Sequence, residues 1–313
     1  MSTLCVTPNV ALDRTLVVPR FAIGGVSRSE SVRISIGGKG VNVARTLSSL
    51  GQPNHSAGLL GGETGALASR LADAEGLSAS WTPIARPTRT CVIILADGLG
   101  ASVINEPGPL ISEDEWSQFI ANVGILSRGR SGVCISGSVP PGSPPDAMRQ
   151  LIEAARGGQS RRVWIDSSGE PLVDAVAASP FGIKVNANEA SAITGQSITD
   201  VNGALNAAHT IAELGIRAVA LTLGEQGAVL VYDGRAWYAR APEVAVNNPV
   251  GSGDSFLAGL IMAYRDGSSP EEALRFASAC GTANTLNAEA GRIGAIEVTR
   301  LAAEVAVHPM ALL

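Results

Sequence analysis

The segment Asn248-Pro249-Val250-Gly251-Ser252-Gly253-Asp254-Ser255-Phe256 runs into an apolar helical stretch. Two glycines and a small residue at a helix start bare backbone N–H groups at the positive end of the helix dipole, which makes an anion hole. A carboxylate at that place, Asp254, would repel a phosphate unless it had work to do. The work that fits is that of a general base, taking a proton from a hydroxyl that attacks phosphorus. The competing reading of Asp254 is a helix N-cap. Other glycine motifs fail. A dinucleotide fingerprint counted from Gly251 needs a third glycine where Phe256 stands. A Walker loop needs Gly-Lys-Ser/Thr, but Lys39 is followed by Gly40, and no G-x-S-x-G elbow occurs.

Other segments offer partners for this chemistry. Ile36-Gly37-Gly38-Lys39-Gly40-Val41-Asn42 lets a backbone approach a ligand closely, with Lys39 and Asn42 as donors to sugar hydroxyls or a phosphate. The alternative is a tight strand–helix turn with a solvent lysine. Lys184-Val185-Asn186-Ala187-Asn188-Glu189 ends a strand and opens a helix. Glu189 could organise a hydrated Mg²⁺, or simply be an acid favoured at a helix start. Leu221–Ala228 is a strand, a turn at Gly224 and Gly227, and a second strand. It could cover nucleotide phosphates or be an ordinary hairpin. Asp13 could accept from sugar hydroxyls or be a turn residue. Arg89, leading into a hairpin, could grip a phosphate or lie on the surface. Ser136-Gly137-Ser138-Val139-Pro140-Pro141-Gly142 follows a strand, where open α/β sheets place ligands.

The elements that must hold these residues alternate. Short apolar runs at Leu4–Thr7, Gly132–Ile135, Arg162–Asp166, Gly182–Val185, Ala218–Thr222 and Ala228–Tyr232 read as buried strands. Helical patterns follow at Val41–Leu50, Thr64–Ala74, Pro145–Ala155, Leu172–Ala177, Glu189–Thr194, Val201–Leu214, Ser255–Asp266, Pro270–Leu286 and Val298–Val307. The alternation predicts an open, mainly parallel sheet with helices on both faces. Thr15–Ile36 and Thr88–Ile104 read as extended without a following helix, the second as a hairpin about Asp97-Gly98-Leu99-Gly100. A small second sheet is expected there, as a lid over a site, a dimer surface or an edge extension.

Composition narrows the classes. Of 313 residues, 45% are hydrophobic and 16% charged, which excludes disorder and coiled coil. The net charge of −5 argues against a nucleic-acid coat or a membrane-surface protein. No apolar stretch approaches a membrane span, and the N-terminus lacks a signal-peptide pattern, so a cytoplasmic protein is expected. Cys5, Cys91, Cys134 and Cys280 stand alone as core thiols, and three isolated histidines argue against zinc. Lys39 and Lys184 are the only lysines, and both fall inside the segments above.

Taken together and in this order, these segments resemble the ribokinase-like sugar kinases of the phosphofructokinase-B type, over essentially the whole chain. The Gly37–Asn42 and Gly251–Asp254 segments match the two signatures of that family. Thr7-Pro8-Asn9-Val10-Ala11-Leu12-Asp13, the 136–142 segment and Asp166-Ser167-Ser168-Gly169 are similar to its phosphosugar branch, which includes tagatose-6-phosphate kinases and 1-phosphofructokinases. The 248–255 segment and Thr285-Leu286-Asn287-Ala288 look most like the former, with bacterial members of the latter close.

The resemblance implies a three-layer αβα sandwich with a mainly parallel central sheet, one kinase domain over 1–313, and a lid from about 15–36 and 88–104. Asp254 would be the catalytic base, with an anion hole from Gly251, Ser252 and Gly253. Asp13, Gly38, Asn42 and Ser138 would contact the sugar, and Lys39 and Arg89 its existing phosphate. Asn186, Thr222, Gly224, Gly227 and Asn284 would lie along ATP. Glu189 would act on Mg²⁺ through water, and a monovalent cation such as K⁺ would sit beside the anion hole. The implied reaction moves the ATP γ-phosphate to a hydroxyl of a ketohexose monophosphate. A kinase of a free sugar or nucleoside, or a silent sugar–nucleotide sensor, are the alternatives. One departure stands out: the return strand of the lid hairpin, Ala101–Glu106, carries no base. A homodimer through the lid is also expected.

Overall fold

The computed structural model describes residues 2–96, 100–160 and 162–311. The strands are β1 (Thr3–Thr7), β2 (Ala11–Val18), β3 (Ser31–Gly37), β4 (Asn54–Gly61), β5 (Ala79–Ile84), β6 (Arg89–Ala96), β7 (Gly100–Asn105), β8 (Gly132–Ser136), β9 (Val163–Asp166), β10 (Gly182–Asn186), β11 (Ala218–Thr222), β12 (Ala228–Tyr232), β13 (Arg235–Ala239) and β14 (Val307–Met310). The helices are α1 (Lys39–Ser49), α2 (Gly62–Ala74), α3 (Glu113–Leu126), α4 (Ala147–Gly157), α5 (Gly169–Ala177), α6 (Ala187–Thr194), α7 (Val201–Ala212), α8 (Ser252–Arg265), α9 (Pro270–Thr285) and α10 (Ala295–Glu304).

A ten-stranded sheet runs in the order β14-β13-β12-β11-β10-β9-β8-β1-β4-β5. From β5 to β11 every pairing is parallel, and β12, β13 and β14 extend that edge as an antiparallel meander. The parallel strands β1, β8 and β9 are buried along their full length, as strands with helices on both faces must be. One face packs Phe119, Leu151, Leu172 and Ile211 of α3, α4, α5 and α7. The other packs Leu47, Leu257, Leu274 and Leu301 of α1, α8, α9 and α10. This is the expected three-layer sandwich. All four cysteines are buried and free. No helix among the described residues is long and apolar enough to cross a membrane.

The second sheet has four strands in the order β3-β2-β6-β7, with β2 and β6 parallel and both outer pairings antiparallel. It is the extra sheet anticipated over 15–36 and 88–104, with one correction. Its strand β2 begins at Ala11, directly after the Pro8–Asn9 turn, so Asp13 sits in the small sheet itself and not in a turn. Residues 97–99 of the expected hairpin turn lie outside the described residues.

Other elements were not anticipated. Strand β4 carries two glycines, Gly58 and Gly61, which weaken the strand pattern. Strand β5 is an edge with only two of its six residues, Thr82 and Ile84, buried. Helix α3 carries a capping box, in which Ser112 and Glu115 exchange side-chain and backbone hydrogen bonds. The run expected to be helical to Val307 stops at Glu304, because the chain turns there to pair β14 with β13.

Candidate active site

The C-terminal ends of the parallel strands open toward one crevice, as α/β sheets arrange their ligand sites. Register sets Ser136 beside Asp166 and Asn186 beside Thr222. Asp166 is fully buried at the end of β9. Its two carboxylate oxygens accept from the two lysines of the chain, Lys39 Nζ and Lys184 Nζ, each at 2.8 Å. Burial would raise the Asp166 pKa, but the two ammonium groups overcome it and hold the carboxyl below its usual range. Lys39 feels the same burial in reverse, and Asp166, Glu189 and Asp254 raise it above the ordinary lysine value. The Lys39 side chain remains 36% exposed, so its ammonium faces the crevice.

Asp254 lies in the first turn of α8, 6% exposed. Its Oδ2 accepts from Asn42 Nδ2 at 2.8 Å, joining residues 212 positions apart. The N-cap of α8 is Gly251, with no side-chain cap, so the capping reading of Asp254 is removed. Gly251 adopts φ +83°, and a Cβ there would stand 2.7 Å from the Ala290 Cβ, so the turn that starts the helix needs glycine. The first-turn amides have no intrahelical acceptor. A Cβ on Gly253 would sit 3.0 Å from Lys184 Nζ, which places that ammonium against the first turn of α8. Burial first, then the Asp166 charge, raises the Asp254 pKa to about 6, against the pull of Lys39, Lys184 and the Asn42 hydrogen bond. A carboxylate so tuned can take a proton near neutral pH.

On the lid side, Asp13 lies over Gly37, where a Cβ would fall 2.1 Å from the carboxylate. Burial raises the Asp13 pKa to about 6, against Arg45 and Arg89. Gly38 is the N-cap of α1. Ser138 Oγ accepts from Asn9 Nδ2 at 3.1 Å, and Asn9 O accepts from Arg89 Nη2 at 2.9 Å. Arg89 also donates to Glu106 O at 3.0 Å, while its buried Nε has no partner. Lys39 is held by Asp166 and stands 3.7 Å from Glu189 Oε1, whereas Arg89 is held by the carbonyls of Asn9 and Glu106.

A cavity of about 370 Å³ begins at Ser252 and Gly253 and runs past Gly224, Gly227 and Thr222. Val244, Val246 and Phe256 give it apolar walls, and Ser278, whose Oγ is buried without a partner, also lines it. Asn186 lines an adjoining cavity that shares Thr222 and Gly224. Asn186 and Glu189 form a capping box at the start of α6, with Asn186 N donating to Glu189 Oε2 at 2.8 Å. The helix-start reading of Glu189 is thus realised, and its Oε1 is still left facing Lys39. Among the described residues no cluster of three acids, cysteines or histidines could hold a metal by itself.

Asn284 is fully buried and lines neither cavity. Its Nδ2 donates to Val250 O at 2.8 Å, and its Oδ1 accepts from Gly291 N at 2.7 Å and Ser255 Oγ at 3.2 Å. It braces the turn that starts α8. The α9 residues that do line the groove are Ser278, Gly281, Thr282 and Thr285. Also not anticipated as site residues were Asp166 and Asn9. A strand ending Val163-Trp164-Ile165-Asp166 puts an acid at the mouth of a parallel sheet, and that was the available signal for the first.

The family model for pfkB family carbohydrate kinases matches residues 1–293. The 1-phosphofructokinase of Xanthomonas campestris pv. campestris is 32% identical over 98% of both chains. Phosphofructokinase-2 of Escherichia coli, solved in complex with potassium, superposes with a TM-score of 0.89 at 29% identity, covering 97% of this chain and 98% of that one. The ribokinase of Arabidopsis thaliana, solved with ribose and ATP, shares the fold at a TM-score of 0.75 and 22% identity, covering 96% and 98%. The chain belongs to the pfkB family of carbohydrate kinases, phosphotransferases that act on a sugar hydroxyl.

Proposed function

We propose that this kinase transfers the γ-phosphate of ATP to a primary hydroxyl of a ketohexose monophosphate, with fructose 1-phosphate the first acceptor to test and tagatose 6-phosphate and fructose 6-phosphate next. The order of acceptors follows the name of the Xanthomonas relative. The observation that carries the proposal is the Asp254 carboxylate, held by Asn42 beside the first-turn amides of α8. In this reading the sugar hydroxyl attacks phosphorus, a new O–P bond forms, the bond to the β-phosphate oxygen breaks, and ADP leaves. The hydroxyl proton passes to Asp254. Amides of Gly251, Ser252 and Gly253 with Lys184 stabilise the oxygens of the moving group. Lys39 stands at the same centre and neutralises charge there, and with Arg89 it holds the sugar's own phosphate.

The nucleotide lies in the 370 Å³ groove, where the unpartnered Ser278 hydroxyl and the apolar Val244 and Val246 fit a purine ring. Asn186, Thr222, Gly224 and Gly227 border the phosphate end, and Asp13, Gly38, Asn42 and Ser138 the sugar. Glu189 Oε1, not used by the capping box, fits a water-mediated contact to Mg²⁺. When bound, Mg²⁺ supplies charge neutralisation on the ATP phosphates. A monovalent cation such as K⁺ would draw on the carbonyls where the 247–250 and 285–291 segments run side by side, tied by Asn247 N and Asn248 N donating to Thr285 O. The lid excludes water that would hydrolyse ATP. Its edge strands expose Val32, Ile34, Val103 and Ile104, which supports a homodimer through the lid. Sedimentation at micromolar concentration should give a dimer; a monomer throughout rejects that interface. Four buried thiols suit a reducing, cytoplasmic setting.

Release of ADP, measured over fructose 1-phosphate, fructose 6-phosphate, tagatose 6-phosphate, free fructose and a nucleoside, tests the assignment. Turnover should depend on a phosphorylated ketohexose. Equal turnover with free fructose would move the assignment to an unphosphorylated acceptor.

A further inference from the structure

Arg45 sits on α1 one turn after Asn42 and is 5% exposed. Its guanidinium has five N–H bonds, and the protein supplies an acceptor for each. Nε and Nη2 donate to the Glu75 carboxylate at 2.7 and 3.2 Å. Nη2 also donates to Ile36 O at 2.8 Å, at the root of the lid. Nη1 donates to Ala290 O at 3.0 Å and to Asn42 Oδ1 at 2.8 Å. Ala290 is the residue that packs against Gly251. One side chain thus joins the lid, the anion-hole turn and the amide that touches Asp254.

The last of these contacts has a chemical consequence. A side-chain amide has an accepting end and a donating end. The cation at Oδ1 leaves Nδ2 as the end facing Asp254, at 2.8 Å. The opposite orientation would set the amide oxygen against the carboxylate and its NH₂ against the guanidinium, so both contacts would become repulsive. Glu75 receives Arg45 in a two-toothed ion pair, which holds the guanidinium plane in register. Arg292 approaches the same carboxylate at 3.7 Å and also pairs with Glu289, whose partner Arg33 lies on strand β3 of the lid.

We propose that Arg45 is a positioning residue for phosphoryl transfer: by fixing which end of the Asn42 amide faces Asp254, it sets the direction and the ionisation of that carboxylate, with Glu75 holding Arg45 in place. The inference rests on Asp254 acting as the base. The other charged groups facing Asp254 are Asp166 at the end of β9, Lys39 on α1 and Lys184 on β10, with Asp13 of β2 nearby. All four remain in place when Arg45 is changed.

The test is the pH profile of kcat in Arg45→Met, Arg45→Lys and Glu75→Gln, and in Arg45→Met combined with Asn42→Ala. Loss of a hydrogen bond to a charged group should move the acid limb of Arg45→Met upward by about one pH unit, so that turnover falls about fivefold at pH 6 and much less at pH 8.5. Arg45→Lys, which keeps a donor, should recover part of the shift, and Glu75→Gln should show a smaller shift in the same direction. In the Asn42→Ala background, Arg45→Met should add no further shift. A uniform loss of turnover at every pH overturns the proposal, as does a shift of equal size without Asn42, which would be a direct charge effect. If Arg45→Met does not fold, the Lys and Gln variants decide on the same criteria. Asp254→Asn, assayed alongside, separates the two levels. Near-normal turnover there refutes the base itself, whereas an inactive Asp254→Asn with unshifted Arg45 variants refutes only the role of Arg45.

Discussion

Replacing Asp254 by Asn should make the protein more stable and nearly inactive, and the stability gain should depend on pH. The side chain is almost wholly buried, and its pKa is raised from 3.8 to about 6, by burial first and then by the Asp166 charge. The folded state therefore resists ionising this group more than the unfolded chain does. Below pH 3.8 both states are protonated and the group costs nothing. As pH rises through the interval the unfolded chain ionises first, and above about pH 7 the full cost is present. At roughly 1.4 kcal/mol per pH unit the interval is worth up to about 3 kcal/mol. Asparagine keeps the shape and still accepts from Asn42 Nδ2, so Asp254→Asn should recover most of that amount at pH 8, roughly half at pH 5, and almost none below pH 4. Urea unfolding of both proteins across that range measures it. Turnover should fall by about 10²–10⁴, the usual worth of a general base. A stability gain that is the same at pH 5 and pH 8, or turnover within a few-fold of the original, would refute the reasoning.

Arg89→Ala should raise KM for a sugar phosphate by about ten- to a hundredfold, the worth of a charge-assisted hydrogen bond, while the weaker KM for the free sugar stays put; a parallel rise for both would take the phosphate away from Arg89. Lys39→Met should cost about a hundredfold or more in kcat, as loss of a stabilising charge at a transition state does. Because the Lys39 charge lowers the Asp254 pKa, the acid limb should also move to higher pH, and an unmoved limb would separate the two groups. Glu189→Gln should raise the Mg²⁺ needed for half-maximal rate by about tenfold, as loss of a contact around a metal does. The capping oxygen is retained in that variant, so thermal stability should hold; an unchanged Mg²⁺ requirement would confine Glu189 to its helix-cap role.

What could be read in the chain, and what could not, divides along physical lines. The anion-hole turn and the Gly37–Asn42 segment announce themselves because close backbone approach restricts residue types locally, and the order of strands and helices follows from their periodicities. The contact of Asn42 with Asp254 and that of Arg45 with Glu75 are products of tertiary folding, and no local pattern encodes them. Asn284 stands off the groove for a helical reason. At about 100° per residue, Ser278, Gly281, Thr282 and Thr285 share one face of α9, and they line the groove. Asn284 lies about a quarter-turn or more off that face, toward Val250. The strands β4 and β5 escaped notice because glycine and edge exposure dilute their patterns.

The rarity of lysine marked Lys39 and Lys184, but not what they share. The two ammonium groups straddle the oxygens of Asp166, and Asp254 and Glu189 stand close by. Two cations therefore face three carboxylates in a space meant for a polyanion. Empty, such a cluster is held together by its own pairing. The anionic terminal phosphate of a nucleoside triphosphate arriving there competes with Asp166 for both lysines, and each ammonium can turn toward it without leaving the carboxylate, since a lysine has three donors. The same arrival sets more negative charge beside Asp254 and raises its affinity for a proton. In the proposed mechanism the base would thereby be strengthened when the phosphorus and the attacking hydroxyl are both present, and weaker in the empty site, where a stronger base would only cost more stability. An arginine at either position would have held Asp166 in a rigid two-toothed grip. That grip would resist the shared contact, and it accounts for lysine persisting at two positions in a chain that otherwise writes arginine.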